Sequence, residues 1–139
     1  MGKDIREVMT SKLCSIDADK PVSYAAKMLR DEDVGLAPIV EGDILVGALT
    51  DRDIAIRVVA EGRDPETTKV RDVASTDLVT VDPQQDLDEA LRLMAQHQVR
   101  RIPVVEEDGR LVGIVAQADV ARQADDRATG EVVEQISQS

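Results

Sequence analysis

The segment LVGALTDRDIAI at positions 45–56 returns in altered form as LVGIVAQADVAR at positions 111–122. Both copies keep a Leu-Val-Gly start and an Asp six residues after the Gly, which is Asp53 in the first copy and Asp119 in the second. Recurrence of such a segment indicates that one structural unit occurs twice in the chain.

The similarity extends over most of the sequence. An offset of 65 residues places REVMTSKLCSID on RDVASTDLVTVD, VSYAAKML on LDEALRLM and VGLAPIVE on VRRIPVVE, and Gly109 is a one-residue insertion after which the offset is 66. We therefore predict a first repeat over 1–60, a polar linker over 61–69, a second repeat over 70–124 and a C-terminal tail over 125–139. In the tail, Val132, Val133 and Ile136 could form the apolar side of one short helix. We interpret it as a surface helix, with docking on a partner subunit as the alternative.

Each repeat begins with a strand pattern and a helix pattern. A short apolar strand is predicted at 13–16 and again at 78–81, and each is followed by apolar residues at helical spacing. These apolar positions are Val22, Ala25, Ala26 and Leu29 in the first repeat and Leu87, Ala90, Leu91 and Met94 in the second. Pro21 suits the first turn of its helix, and Asp86 suits an N-cap.

A hairpin and a second helix complete the repeat. The hairpin strands are joined by Gly42-Asp43 in one copy and Asp108-Gly109 in the other, which are turn sequences typical of hairpins. In the first repeat the second helix starts at Asp51 and has an apolar face formed by Ile54, Val58 and Val59. In the second repeat it starts at Gln117, and Val120 opens the equivalent face. Because neither β-α-β-β-α repeat has enough core to fold alone, we predict an α/β (α+β) fold in which the repeats pack sheet to sheet with pseudo-twofold symmetry.

Composition excludes several classes of function. The 139 residues carry a net charge of −11, which repels nucleic-acid phosphates and anionic lipid headgroups, and Tyr24 is the only aromatic residue on which a base could stack. No segment has the length of a membrane span or the pattern of a secretory signal. We therefore expect a cytoplasmic protein that binds neither nucleic acid nor membranes.

The sequence also lacks the residue sets of common catalytic sites. Cys14 and His97 are the only cysteine and histidine, so they form neither a zinc-binding set nor an evident nucleophile–base pair. Cys14 is interpreted as a small buried strand residue, with an intermolecular disulfide or a redox role as alternatives. His97 is expected to be exposed near the end of its helix. The sequence thus predicts a protein that is not an enzyme.

Two signatures, PIVE…LVGALTDRD and PVVE…LVGIVAQAD, together with the helices AAKML and EALRLM, resemble those of the CBS-domain pair, also called the Bateman module. The resemblance covers nearly the whole chain, and the overall form is similar to small stand-alone CBS-pair proteins of bacteria, including the hypoxic response protein type. Members of this family differ in whether they bind a ligand. In those that bind adenosine compounds, the Asp corresponding to Asp53 is a ribose ligand.

The residues at the start of the second helix suit a nucleotide. A helix N-terminus attracts phosphate, Thr50 supplies a hydroxyl donor, and the carboxylate of Asp53 can accept both ribose hydroxyls. The alternative is a capping box between the same two residues, which needs no ligand. In the second repeat Ala116 has lost the hydroxyl whereas Asp119 persists, so the Asp119 cleft is expected to bind more weakly.

Further ligand contacts come from the strands. The resemblance implies phosphate contacts by basic residues before the hairpin, where this chain has Arg100 and Arg101 in the second repeat and Gly35-Leu36 in the first. Since neighbouring strand residues point to opposite faces, we assign Arg100 to the Asp53 cleft and Arg101 to the Asp119 cleft, with surface ion pairing as the alternative. The walls around adenine are assigned to the regions of Ile16, Pro38, Val81 and Pro103.

These observations lead to one functional hypothesis and one alternative. The hypothesis is a regulatory protein that binds AMP or another adenosine compound between the repeats, needs no other cofactor and signals to a partner as a homodimer. The alternative is a ligand-free, stress-related structural or interaction protein in which Thr50 and Asp53 only cap a helix.

Overall fold

The computed structural model describes residues 4–11 and 14–128, with side chains described as far as residue 123. The elements, in chain order, are a 3-10 turn (Ile5–Glu7), β1 (Ile16–Asp17), α1 (Val22–Glu32), β2 (Leu36–Glu41), β3 (Ile44–Thr50), α2 (Asp51–Ile54) with a π-helical continuation (Ala55–Val59), α3 (Val70–Val73), α4 (Leu87–His97), β4 (Arg101–Val105), β5 (Leu111–Ala116) and α5 (Gln117–Ala128).

The first strand of each repeat is shorter than predicted. In the first repeat β1 has two residues and pairs in parallel with β2 through Ile16 and Ile39. In the second repeat a strand over 78–81 is not formed, and a parallel bridge between Val81 and Val104 takes its place. The prediction of a full strand was wrong because an apolar run does not reveal how many of its residues reach a neighbouring strand.

The long helices α1 and α4 bury most of the predicted stripe. The buried positions are Val22, Ala25 and Leu29 in α1 and Leu87, Ala90 and Met94 in α4. Ala26 is exposed and Leu91 is half-buried, so this position lies at the edge of the buried face. Asp86 caps α4 as predicted, accepting a hydrogen bond from the Asp88 N–H at 2.8 Å, whereas Pro21 occupies the N-cap of α1 rather than its first turn.

Two antiparallel hairpins, β2–β3 and β4–β5, form the sheets and join the repeats. Their turns contain the predicted glycines in left-handed conformations, with φ of 61° at Gly42 and 89° at Gly109. The Leu45 N–H donates to the Gly109 carbonyl at 3.1 Å, and the Leu111 N–H donates to the Asp43 carbonyl at 2.9 Å. These bonds connect the sheets at the hairpin tips and give the predicted α/β pair of packed repeats.

Each hydrophobic core contains residues from the start of the other repeat. Ile5 precedes β1 but is fully buried in the second core, where its N–H donates to the Gln85 carbonyl at 2.8 Å. Conversely, α3 leads into the second repeat, yet Val70 and Val73 are buried in the first core. The segments before the first strands therefore cross between the repeats, an exchange that the sequence comparison did not predict.

This exchange explains the Gly of the repeated Leu-Val-Gly start. A Cβ atom on Gly113 would lie 2.6 Å from the Met9 Sδ and 3.0 Å from the Thr10 carbonyl oxygen. A Cβ atom on Gly47 would lie 3.1 Å from the Ser75 carbonyl oxygen. Glycine at these positions lets the crossing segment approach the hairpin backbone.

The π-helical continuation of α2 changes which residues are buried. Val58 is fully buried, whereas Val59 is 70% exposed, so its assignment to the apolar face was wrong. The Ala60 N–H donates to the carbonyl of Ala55, five residues earlier, at 2.9 Å. A turn of this width departs from the 3.6-residue period on which the prediction rested.

The predicted linker contacts α1, and α5 extends beyond the predicted end of the second repeat. Within the predicted linker, Thr68 is buried and its carbonyl accepts a hydrogen bond from the Val22 N–H at 2.9 Å. Helix α5 buries Val120 as predicted and continues past residue 124 to Ala128. The tail residues Val132, Val133 and Ile136 lie outside the described residues. None of the helices described here has the length and apolar character of a membrane span.

Candidate functional site

Thr50 and Asp53 form a complete capping box at the start of α2. The Asp53 N–H donates to the Thr50 Oγ1, and the Thr50 N–H donates to the Asp53 Oδ2, both at 3.0 Å. The other carboxylate oxygen, Oδ1, lies 3.9 Å from the Arg57 Nε, and the Asp53 side chain is 13% exposed. Oδ2 therefore accepts a hydrogen bond from the backbone within the capping box, whereas Oδ1 faces the Arg57 side chain.

Asp119, at the equivalent place in the second repeat, borders a cavity between the repeats. Its volume of about 310 Å³ is at the lower end of the range typical of small-molecule sites. The polar part of the lining comprises Thr10, Cys14, Glu32, Arg101 and Asp119. The apolar part comprises Val34, Leu36, Pro38, Ile114 and Ala116. Both repeats and the crossing N-terminal segment thus contribute to one cavity.

The carboxylate of Asp119 is held less firmly than that of Asp53. Its Oδ1 accepts a hydrogen bond from the Arg122 Nη2 at 2.8 Å. The Arg122 side chain is 70% exposed, and ion pairs between exposed side chains contribute little to stability. With Ala116 in place of a hydroxyl-bearing residue, Asp119 lacks the capping-box partner that Asp53 has in Thr50.

The two arginines that precede the second hairpin line a common pocket at the start of α5, but they differ in exposure and in their contact with the Asp119 cavity. Arg101 is half-buried and lines the cavity with Asp119. Arg100 is exposed, and its carbonyl accepts a hydrogen bond from the Gln117 N–H at 2.7 Å. Within the described ranges, no hydrogen bond or ion pair connects Arg100 with Asp53.

The residues assigned to the adenine walls fall in different environments. Pro38 lines the Asp119 cavity. Ile16 and Val81 are buried in the two hydrophobic cores, at 1% and 2% exposure, and Pro103 is buried in β4. The side chains of Ile16 and Val81 therefore support the cleft from the cores rather than lining the cavity at Asp119.

Several lining residues were missed by the sequence comparison, namely Thr10, Cys14, Glu32, Val34 and Leu36. A signal for one of them was available, because Leu36 aligns with Arg101 at the repeat offset of 65. Thr10 and Cys14 reach the cavity through the crossing segment. Cys14 is half-buried in the cavity wall rather than buried in a core, and His97 is exposed at the end of α4, as predicted.

The charges around the cavity are of both signs. Arg101 supplies one guanidinium group, while Asp119 and Glu32 each supply a carboxylate. The lining can therefore accept hydrogen bonds from hydroxyl groups and can pair with one small anionic group.

Comparison with protein families gives two matches within this chain. A family model described as CBS domain matches residues 5–60 and again residues 70–126. Among curated proteins, the CBS domain-containing protein YhcV of Bacillus subtilis is 41% identical over 134 residues, covering 96% of this chain and 94% of that protein. Hypoxic response protein 1 of Mycobacterium tuberculosis is 39% identical over 132 residues, covering 94% of this chain and 92% of that protein.

Solved structures show the same arrangement. The crystal structure of Hypoxic Response Protein I with two coordinated zinc ions matches with a TM-score of 0.79 at 40% identity, covering 86% of this chain and 98% of that one. The crystal structure of CBSX2 in complex with AMP matches with a TM-score of 0.78 at 26% identity, covering 88% and 96%.

Proposed function

Because this chain belongs to the CBS domain family, we propose that it is a non-catalytic regulatory protein that binds an AMP-like adenine nucleotide between its repeats. The observation that carries the proposal is the cavity of about 310 Å³ at Asp119, which is lined by both repeats. Occupancy of such a cavity favours one relative arrangement of the repeats and thereby shifts the population that a partner recognises.

Each part of the nucleotide has a matching group in the cavity. The Asp119 carboxylate accepts the ribose hydroxyls, since an ionised carboxylate only accepts hydrogen bonds. The Arg101 guanidinium binds the phosphate through charged hydrogen bonds. The adenine ring packs against the apolar side, formed by Val34, Leu36 and Pro38.

The known complex of a related protein supports this ligand class. CBSX2, whose fold this chain shares, has been crystallised with AMP. Zinc is not included in the proposal, although Hypoxic Response Protein I was crystallised with two zinc ions. In the described part of this chain, no three His, Cys, Asp or Glu side chains are grouped so that they could hold a metal ion.

A second, weaker adenosine site at Asp53 follows from the equivalence of the repeats. There, Oδ1 of Asp53 would accept hydrogen bonds from the ribose hydroxyl groups, because Oδ2 already accepts one from the Thr50 N–H. Arg100 remains the phosphate ligand proposed for this cleft. The capping box competes with such a ligand, which reverses the order of affinity expected from the sequence.

The chain forms a cytoplasmic homodimer through its exposed helices. This dimer signals to an unidentified partner whether the nucleotide is bound. Apolar side chains remain exposed on α1 and on the π-helical continuation of α2, with Tyr24 and Ile56 each 46% exposed and Val59 70%. Some CBS proteins of similar fold form hexamers. Sedimentation at micromolar concentration should give the mass of a dimer, and a monomer mass would contradict this part of the proposal.

Thermal unfolding against a panel of adenine and guanine nucleotides tests the ligand. A nucleotide present at 100 times its Kd adds about 2.7 kcal/mol to the free energy of unfolding and raises the Tm by several degrees. The shift should occur with AMP and disappear in Asp119→Asn, while Asp53→Asn, the matched control, should retain most of it. Loss of the shift only in Asp53→Asn would move the main site to the other cleft.

The alternative function is a ligand-free structural or interaction protein related to stress. It is favoured by the complete capping box, which satisfies Thr50 and Asp53 without a ligand. If no nucleotide in the panel shifts the Tm at millimolar concentration, this alternative replaces nucleotide binding.

A further inference from the structure

Glu32 occupies a position from which it can select among nucleotides in the Asp119 cavity. It is the last residue of α1, it is exposed, and it lines the cavity together with Arg101 and Asp119. The cavity lining thus contains two carboxylates and one guanidinium group. The single positive charge suits a monophosphate, whereas further phosphates would meet an uncompensated negative charge.

The end of α1 adds to this negative potential. The terminal carbonyl groups of a helix carry a partial negative charge, and Glu32 places a full charge at the same end. The helix then turns at Asp33, which has a left-handed φ of 55° and is itself acidic. Arg30, in the last turn of α1, is paired with Asp31, and Arg101 is the cationic residue among those that line the cavity.

The other repeat provides a natural contrast. At the offset of 65, Glu32 corresponds to His97, which is the last residue of α4 and is followed by Gln98 with the same φ of 55°. The two helix ends therefore have the same backbone geometry but different charge. The sequence difference at this position removes a carboxylate without changing the backbone turn.

We propose that Glu32 is a specificity-determining residue that disfavours adenosine di- and triphosphates relative to AMP at the Asp119 cavity. This role rests on the proposed nucleotide site, because Glu32 would have no ligand to select without it. Repulsion between Glu32 and the additional phosphates weakens ATP binding, while the monophosphate remains beside Arg101.

The test measures Kd for AMP and ATP, without added divalent cations, by isothermal titration calorimetry on the full chain. Glu32→Gln keeps the side-chain length and removes the charge, and because Glu32 is exposed the variant should fold normally. The ratio of Kd for ATP to Kd for AMP should fall by about tenfold, as expected for loss of a unit charge at intermediate dielectric constant. The Kd for AMP itself should fall by a smaller factor than the Kd for ATP, because AMP carries fewer phosphate charges for Glu32 to repel.

The matched control is His97→Gln, which alters the equivalent helix end of the other repeat and should leave the ratio unchanged. Raising the ionic strength should shrink the effect of Glu32→Gln, since screening weakens interactions between exposed charges. A ratio that is unaffected by Glu32→Gln while AMP still binds would overturn the role of Glu32 and leave the proposed function intact. Absence of any adenine nucleotide binding, or AMP binding unaffected by Asp119→Asn, would overturn the proposed site and the role of Glu32 with it.

Discussion

The helix start at residues 50–53 has Thr50 where its counterpart at residues 116–119 has Ala116, and the carboxylates of Asp53 and Asp119 have different partners. Where Thr50 is present, Asp53 is held in a reciprocal capping box with two hydrogen bonds of 3.0 Å. Where Ala116 replaces it, Asp119 faces a cavity and pairs with an exposed arginine. A carboxylate that caps its own helix is less available to a ligand, which is why we propose the main nucleotide site at Asp119 rather than at Asp53.

The largest effect is expected from the crossing segments that close the two cores. Ile5→Ala should reduce the free energy of unfolding by about 3 kcal/mol, because it leaves a cavity in a fully buried site. Hydrogen exchange should accelerate in α4, although Ile5 precedes the first repeat in sequence. The mirror variant Val70→Ala should accelerate exchange in α1. If each variant accelerated hydrogen exchange only in the repeat nearer to it in sequence, the crossing of these segments between the two cores would be contradicted.

The next effect concerns the glycines of the two hairpins. Gly113→Ala should reduce the free energy of unfolding by about 2 kcal/mol, because the new Cβ would meet both Met9 and the Thr10 backbone. Gly47→Ala should cost about 1 kcal/mol, since its closest contact, at 3.1 Å, is less severe. Urea denaturation measures both, and equal losses would show that the two crossings are equally tight.

A smaller effect should follow from exchanging the capping residues. Thr50→Ala removes the hydroxyl of the box and should reduce the free energy of unfolding by about 1 kcal/mol. Ala116→Thr should add a similar amount by creating a box with Asp119, and it should weaken AMP binding at that cavity several-fold. If Ala116→Thr stabilises the protein without weakening AMP, competition between capping and ligand binding is refuted.

The smallest effect is expected from an ion pair on the exposed face of α4 that α1 lacks. In α4 the hydrogen-bonded Arg92 guanidinium lowers the pKa of Glu89, whereas α1 has Tyr24 and Lys27 at the equivalent positions. A lowered folded-state pKa means that this stabilisation is present above the unfolded-state pKa and is lost as the pH falls through the folded-state value. Glu89→Gln should therefore lower the Tm slightly at neutral pH, and the difference should vanish in acid. A difference that persists below the lowered pKa of Glu89 would point to another cause.

Much of the fold could be predicted because its signals are local. Apolar spacing located α1 and α4, the Gly-Asp and Asp-Gly pairs located both hairpin turns, and the capping box could be identified from Thr50 and Asp53. The missing second-repeat strand and the exposed Val59 could not be predicted in this way. Strand length depends on how far a partner strand extends, and the π-helical turn breaks the period from which burial was inferred.

The candidate site was predicted in part. The carboxylate positions, Arg101 and Pro38 follow from the repeat and from the family resemblance, and the structure brings Asp119, Arg101 and Pro38 to one cavity. Thr10 and Glu32 could not be placed there from periodicity, because their positions depend on the crossing of the N-terminal segment and on where α1 ends relative to the other repeat.

Duplication, apolar spacing and turn residues can be identified without knowing the fold, so the amino-acid sequence was enough to predict two copies of a unit with a long helix, a β-hairpin and a second helix. The tertiary structure was needed to show which segments complete which core and which residues line the cavity at Asp119. Those outcomes depend on contacts between residues distant in sequence, such as Ile5 with the second core. Two similar sequences can therefore place equivalent residues, such as Asp53 and Asp119, in different surroundings once the repeats pack against each other.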